Sequence, residues 1–140
     1  MSQKTSEPVA NEIAALVGPF WTESKVCDVL GVAADELAVR RAEGTVLALT
    51  STDGDTFYPV DQFQRRGDER LEVRAALVPL LRTLRSFDAW TVAVLLHTPA
   101  PELGGLTPLD WARQGGTEGT LADLALVVSR EWAAGAATTG

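Results

Sequence analysis

Residues 22–44 read Thr22-Glu-Ser-Lys-Val-Cys-Asp-Val-Leu-Gly31-Val-Ala-Ala-Asp-Glu-Leu-Ala-Val-Arg40-Arg-Ala-Glu-Gly44, and the fold turns on them. Thr22 is an N-cap residue, its hydroxyl able to accept an otherwise unpaired N–H of the first turn. Val26, Val29 and Leu30 then fall on one helical face, and Gly31 ends the helix. A second helix is expected from about Ala33 to Glu43, carrying Leu37, Arg40 and Arg41, with Gly44 as its stop. The pattern is helix, glycine-containing turn, helix.

Outward from this core, Thr45-Val-Leu-Ala-Leu-Thr-Ser-Thr52 and Thr56-Phe-Tyr58 flank Asp53-Gly54-Asp55. Asp-Gly between apolar runs is a strong hairpin signal. Helix, helix and hairpin in this order, with the Gly31-Val-x-x-x-x-Leu37 phrase, resemble the small winged helix-turn-helix of excisionase- and MerR-like regulators. That resemblance implies DNA contact through Arg40 and Arg41 on the second helix. Asp35, Glu36 and Glu43 share the helix and repel phosphates, so a module kept for packing or dimerisation stands as the alternative. Upstream, residues 1–8 read as a polar leader. Ile13, Leu16 and Val17 give a helical face that Gly18-Pro19 terminates. The winged unit thus spans residues 9–63.

Residues 69–133 read as a helical bundle. Leu71, Ala75, Leu77, Val78, Leu81 and Leu84 form an amphipathic stripe, in which Pro79 either kinks the helix or starts a new one. Asp88 caps a helix through Trp90, Val94 and Leu95 that stops at Pro99 and Pro101. A last helix, about 118 to 133, carries Leu121, Leu124, Ala125, Val128 and Trp132, and residues 134–140 read as a loose tail. The expected fold is therefore mostly α with one small β-hairpin: a winged helix-turn-helix-like unit followed by a helical bundle. The joint at Gly67 is too short to hold the two apart.

Within the bundle, Leu103-Gly-Gly-Leu-Thr-Pro-Leu-Asp-Trp-Ala-Arg-Gln-Gly-Gly116 is a short helix with its own punctuation. Thr107 caps it, Pro108 fits the first helical position, Asp110 complements the dipole and Gly115-Gly116 ends it. From Trp90 to Trp132, the order Trp-x-x-Ala-x-x-Leu, Thr98-Pro-Ala-Pro, Gly-Gly-Leu-Thr-Pro-Leu and Gly-Gly resembles the toxin-binding domain of the Xre/MbcA/ParS-type antitoxins. A weaker extension reaches back through Phe57-Tyr-Pro-Val-Asp-Gln-Phe63. The resemblance implies a protein that neutralises a RES-domain toxin acting on NAD. It implies association with that toxin or as a homodimer, and optional binding of operator DNA. On that reading Leu103, Leu106, Leu109, Trp111 and Arg113 form the partner patch. The alternative is that the four apolar residues close the bundle core. Two departures stand out: the N-terminal part is unlike the multi-helix Xre domain, and the end of the chain lacks features for inserting into a toxin.

Composition bounds the rest. The chain has 140 residues, 46% hydrophobic, with four Trp and one Cys, as expected for a folded cytoplasmic protein without disulfides. No apolar run approaches the ~20 residues of a membrane span. The net charge of −7 opposes nonspecific DNA binding, yet six Arg crowd residues 65–85 against Asp68, Glu69 and Glu72. Arg65, Arg66 and Arg70 are thus candidates for phosphate contact, with a solvated helix face as the plainer reading. His97 is the only histidine and Cys27 sits among apolar neighbours, so neither a metal site nor a catalytic group is expected. Asp53-Gly54-Asp55 lacks the remainder of a calcium loop. No cofactor and no enzymatic activity are expected.

Overall fold

The Thr22 hydroxyl accepts the Lys25 N–H at 3.2 Å and opens α1 (Glu23–Leu30), which stops at Gly31. The computed structural model describes residues 16–66 and 70–139. The polar leader and most of the helix expected before Gly18 lie outside them. A three-residue turn leads into α2 (Ala34–Glu43), whose last turn closes on Gly44. The Gly44 N–H donates to the Arg41 carbonyl at 3.1 Å.

The hairpin stands where Asp53-Gly54 placed it. Strands β2 (Leu49–Thr50) and β3 (Thr56–Pro59) pair antiparallel, Leu49 opposite Phe57. On the other edge of β3 lies β1 (Phe20–Thr22), with Trp21 opposite Tyr58, giving the order β1-β3-β2. A second, unexpected sheet follows. Strands β4 (Phe63–Arg66) and β5 (Arg70–Val73) pair with Phe63 opposite Val73 and Arg65 opposite Leu71. The helical stripe expected to begin at Leu71 therefore begins later. Leu71 and Val73 alternate with polar neighbours at a period of two, and with Phe63 they pack on the core beneath α1. Tertiary burial of this alternating face overrides the helical spacing.

Pro79 sits in the first turn of α3 (Val78–Thr83), so it starts a fresh helix and does not kink one. Asp88 caps α4 (Ala89–Leu96) by accepting the Thr91 N–H at 3.0 Å. Thr107 does the same for α5 (Pro108–Arg113), accepting the Asp110 N–H at 3.0 Å. The last helix, α6 (Glu118–Thr139), continues past Ala133 through the alanine-rich segment read as a loose tail. Alanine has the highest helix propensity and sustains the run.

Two buried clusters form the interior. The larger joins Leu77, Leu80 and Leu84 to Leu96, Leu121 and Leu124, and it takes in Leu47 and Leu49 from the first half. The smaller gathers Val26, Leu30, Leu37, Val46, Tyr58 and Phe63 under α1 and α2. Val73 packs against both. Each fully buried Leu contributes about 1.5–3 kcal/mol, so the shared residues make the halves one packed body.

Among the described residues, Gln62 is buried at 1% exposure. Its Oε1 accepts the Leu47 N–H at 2.8 Å, and its Nε2 donates to the carbonyls of Leu47 at 2.8 Å and Pro59 at 3.1 Å. Residues 45–48 belong to no strand, so this side chain replaces the ladder partner that Leu47 lacks.

Candidate nucleic-acid and partner surfaces

The two arginines of α2 are held by carboxylates. Arg40 Nε donates to Glu36 Oε2 at 3.2 Å, one helical turn back. Arg41 Nη1 lies 3.7 Å from Glu23 Oε1 on α1. Glu23 Oε1 also accepts the Tyr58 hydroxyl at 3.2 Å. Burial pushes the Tyr58 pKa up from 10 to about 12, Arg41 pulling it down and Glu23 up. The exposed part of α2 thus carries Asp35, Glu36, Val39 and Glu43, an acidic face.

The β4–β5 hairpin is different. Arg65 is exposed and lies two residues from Phe63 on the same strand face. Phe63 stacks on Trp21 with ring centroids 5.6 Å apart, and Lys25 Nζ sits 5.8 Å from the centre of the Trp21 ring. At the far strand, the Arg70 guanidinium lies over Gly31, where an added Cβ would come within 3.3 Å of Cζ. Arg70 therefore brings one guanidinium to the turn between α1 and α2, in a stretch whose Arg65, Arg66 and Arg70 are matched in sequence by Asp68, Glu69 and Glu72. Among the described residues, no ion pair engages Arg65 or Arg70. Arg66 stands opposite Arg70 in the register, and its side chain lies outside the described ones.

The partner patch read from residues 103–113 is mostly interior. Leu103 and Leu109 are each 2% exposed and belong to the larger core cluster. Neither is free to anchor a partner. Leu106 and Trp111 are half-buried and pack on the same cluster. The Trp111 indole N–H donates to the Thr117 carbonyl at 3.0 Å, and the ring lies so close over Gly116 that any Cβ there would collide with it. The Gly-Gly pair thus serves close approach as well as helix termination.

Arg113 is exposed but internally engaged. Its Nη2 lies 3.0 Å from Asp61 Oδ1, and its Nη1 donates to Asp110 at 3.2 Å. Asp61 is the hub of a polar cluster that the sequence reading missed. Arg74 Nε donates to the Asp61 carbonyl at 2.9 Å, and His97 Nε2 lies 3.8 Å from Asp61 Oδ2. His97 Nδ1 donates to the Ala93 carbonyl at 3.0 Å, which fixes the ring at the end of α4. Burial, with Arg113 nearby, lowers the Arg74 pKa against the pull of Asp61. This cluster ties the segment after β3 to α4 and α5. Aspartate, arginine and histidine this far apart in sequence give no spacing signal.

Trp90 makes a second tie, its indole N–H donating to the Thr50 carbonyl at 3.0 Å. Cys27 is half-buried, and burial with Glu23 and Asp28 nearby raises its pKa, leaving it a protonated thiol. Among the described residues, no three His, Cys, Asp or Glu side chains gather to hold a metal ion, and no helix is long and apolar enough to cross a membrane.

Neither a family model nor a curated protein sequence matches the chain. Its architecture is similar to the solved structure titled "NMR structure of Rv2175c". That likeness covers 81% of this chain and 77% of the other, with a TM-score of 0.53 and 24% sequence identity. The likeness is one of fold.

Proposed function

We propose that this chain is a DNA-binding protein, with α1, α2 and the hairpins acting as a winged helix-turn-helix reader and the C-terminal helices as a protein-contact module. The supporting observation is the Arg70 guanidinium lying over Gly31 at the α1–α2 turn, with Arg65 exposed on the paired strand and neither held by the carboxylates that engage Arg40 and Arg41. Phosphate contacts supply most of the affinity for duplex DNA and make it steeply salt-dependent. In an acidic chain they must come from individual exposed guanidinium groups such as these. On this reading the β4–β5 hairpin positions the protein on the backbone, and α2, whose exposed face is acidic, makes few backbone contacts of its own.

Fluorescence anisotropy with a labelled duplex at low salt tests it. The double variant Arg65→Gln/Arg70→Gln should lose about tenfold in affinity and lower the salt slope by about two, one for each contact. Arg40→Gln/Arg41→Gln should lose less. No shift with any duplex from the native promoter region, at the lowest salt that keeps the protein dispersed, overturns the reading.

The toxin-neutralising reading implied by the antitoxin resemblance has a separate observation in its favour. On α6, Leu126 and Val127 stand 47% and 41% exposed beside the core-facing Leu124 and Ala125. With Leu106 and Trp111 half-exposed, the C-terminal half retains apolar surface for a protein partner such as a RES-type toxin. Co-purification from the native host, repeated with Leu126→Glu, tests that contact. A partner retained by the variant would remove α6 from the interface.

A further inference from the structure

We propose that the groove between α2 and the α3–α4 corner is a binding site for a small organic anion with an apolar body. The groove is open and encloses about 430 Å³, within the range of small-molecule sites. Its α2 wall is made by Ala38 and Ala42, whose short side chains leave the space. Leu47, Leu84 and Phe87 add further apolar lining. An aromatic ring or a branched acyl chain is the shape such walls accept.

The charge of the lining sets the other requirement. Arg41 and Arg85 both line the groove and no Asp or Glu does, in a chain whose net charge is −7. Arg85 is held in place along its stem. A Cβ added to Gly44 would lie 2.9 Å from Arg85 Cβ and 3.0 Å from Cδ. Its Nη1 donates to the Glu43 carbonyl at 3.3 Å, which uses one of five guanidinium donors. Among the described residues, the Arg41 guanidinium makes the 3.7 Å contact with Glu23 and no other ion pair. The Arg85 guanidinium, with donors to spare beside an apolar wall, suits a carboxylate attached to a hydrophobic body, and Arg41, shared with Glu23, adds to the positive charge of the lining. The groove lies apart from the β4–β5 hairpin, and the inference does not depend on DNA binding.

The test uses the full chain without DNA, followed by amide-resonance titration with 2-naphthoate, with the neutral 2-naphthalenemethanol and with inorganic phosphate. Naphthoate should saturate and shift the amides of Ala42, Gly44, Leu47 and Phe87, binding about fivefold or more tightly than the alcohol. Arg85→Gln should erase that preference, and Arg41→Gln should reduce it. Ala38→Leu, at an exposed helix position that tolerates the change, should block both aromatic ligands by filling the wall. Equal affinity for acid and alcohol, shifts centred elsewhere, unaltered binding in Arg41→Gln, or phosphate alone reproducing the full set of shifts would each overturn the proposal.

Discussion

From Val78 onward the helices carry their own start signals, whereas between Phe20 and Val73 strands of two to four residues are held by side chains reaching across the chain. In the second half, α4 starts at the Asp88 cap, α5 at the Thr107 cap and α3 with Pro79 in its first turn. In the first half, Gln62 holds Leu47 fifteen positions away, Tyr58 holds Glu23 at thirty-five, and Trp90 reaches back forty to Thr50. Local signals fix the ends of helices. Long-range polar ties fix short strands, which lack enough ladder bonds to be stable by themselves. The two halves should therefore fail differently when mutated.

The largest effect is expected at Gln62. Gln62→Leu keeps the volume near constant but strands the N–H and carbonyl of Leu47 in the interior, each costing about 1–3 kcal/mol. Chemical denaturation should show a loss of about 3 kcal/mol or more. A loss below about 1 kcal/mol would mean that water replaces the amide and that the first half does not depend on this tie.

Next is Trp111, which separates scaffold from interface in the second half. Its ring packs on the core and its N–H is bonded to Thr117. Trp111→Ala should cost about 2–3 kcal/mol, less than a fully buried Trp, because the ring is half-exposed. A thermal melt unchanged from the parent would instead free Trp111 to act as a partner anchor.

This difference between halves also governs what could be read without the structure. The caps at Thr22, Asp88 and Thr107, the stops at Gly31 and Gly44 and the Asp53-Gly54 hairpin were all legible, because each is decided within four or five residues. The β4–β5 hairpin was not: Leu71 fits a helical spacing with Ala75 and an extended spacing with Val73 until the core under α1 selects the second. Leu103 and Leu109 were legible as apolar but not as interior, since a fixed loop displays and buries leucines with the same pattern. Of the candidate DNA contacts, the acidic neighbours Asp35, Glu36 and Glu43 foretold that α2 carries little free positive charge. That Arg70 lies over Gly31 depends on strand register, which no local signal sets.

The smallest and sharpest effect concerns Tyr58, whose hydroxyl ties β3 to α1. Tyr58→Phe keeps the buried ring and removes one hydrogen bond to Glu23, so near neutral pH it should cost about 1 kcal/mol. Its pH dependence is the stronger check. The folded chain holds the phenolic proton more tightly than the unfolded chain, with the pKa raised from 10 to about 12 chiefly by burial. Below pH 10 both states keep that proton, and the contribution of Tyr58 is complete. As the pH climbs from 10 towards about 12, the unfolded chain ionises first and stability falls. The urea midpoint of the parent should therefore drop across this window more steeply than that of Tyr58→Phe, so the two proteins converge. Parallel slopes would mean that the phenol ionises without opening the fold and that the tie between β3 and α1 gives way locally. The first half would then be held by Gln62 and the small core under α1 alone.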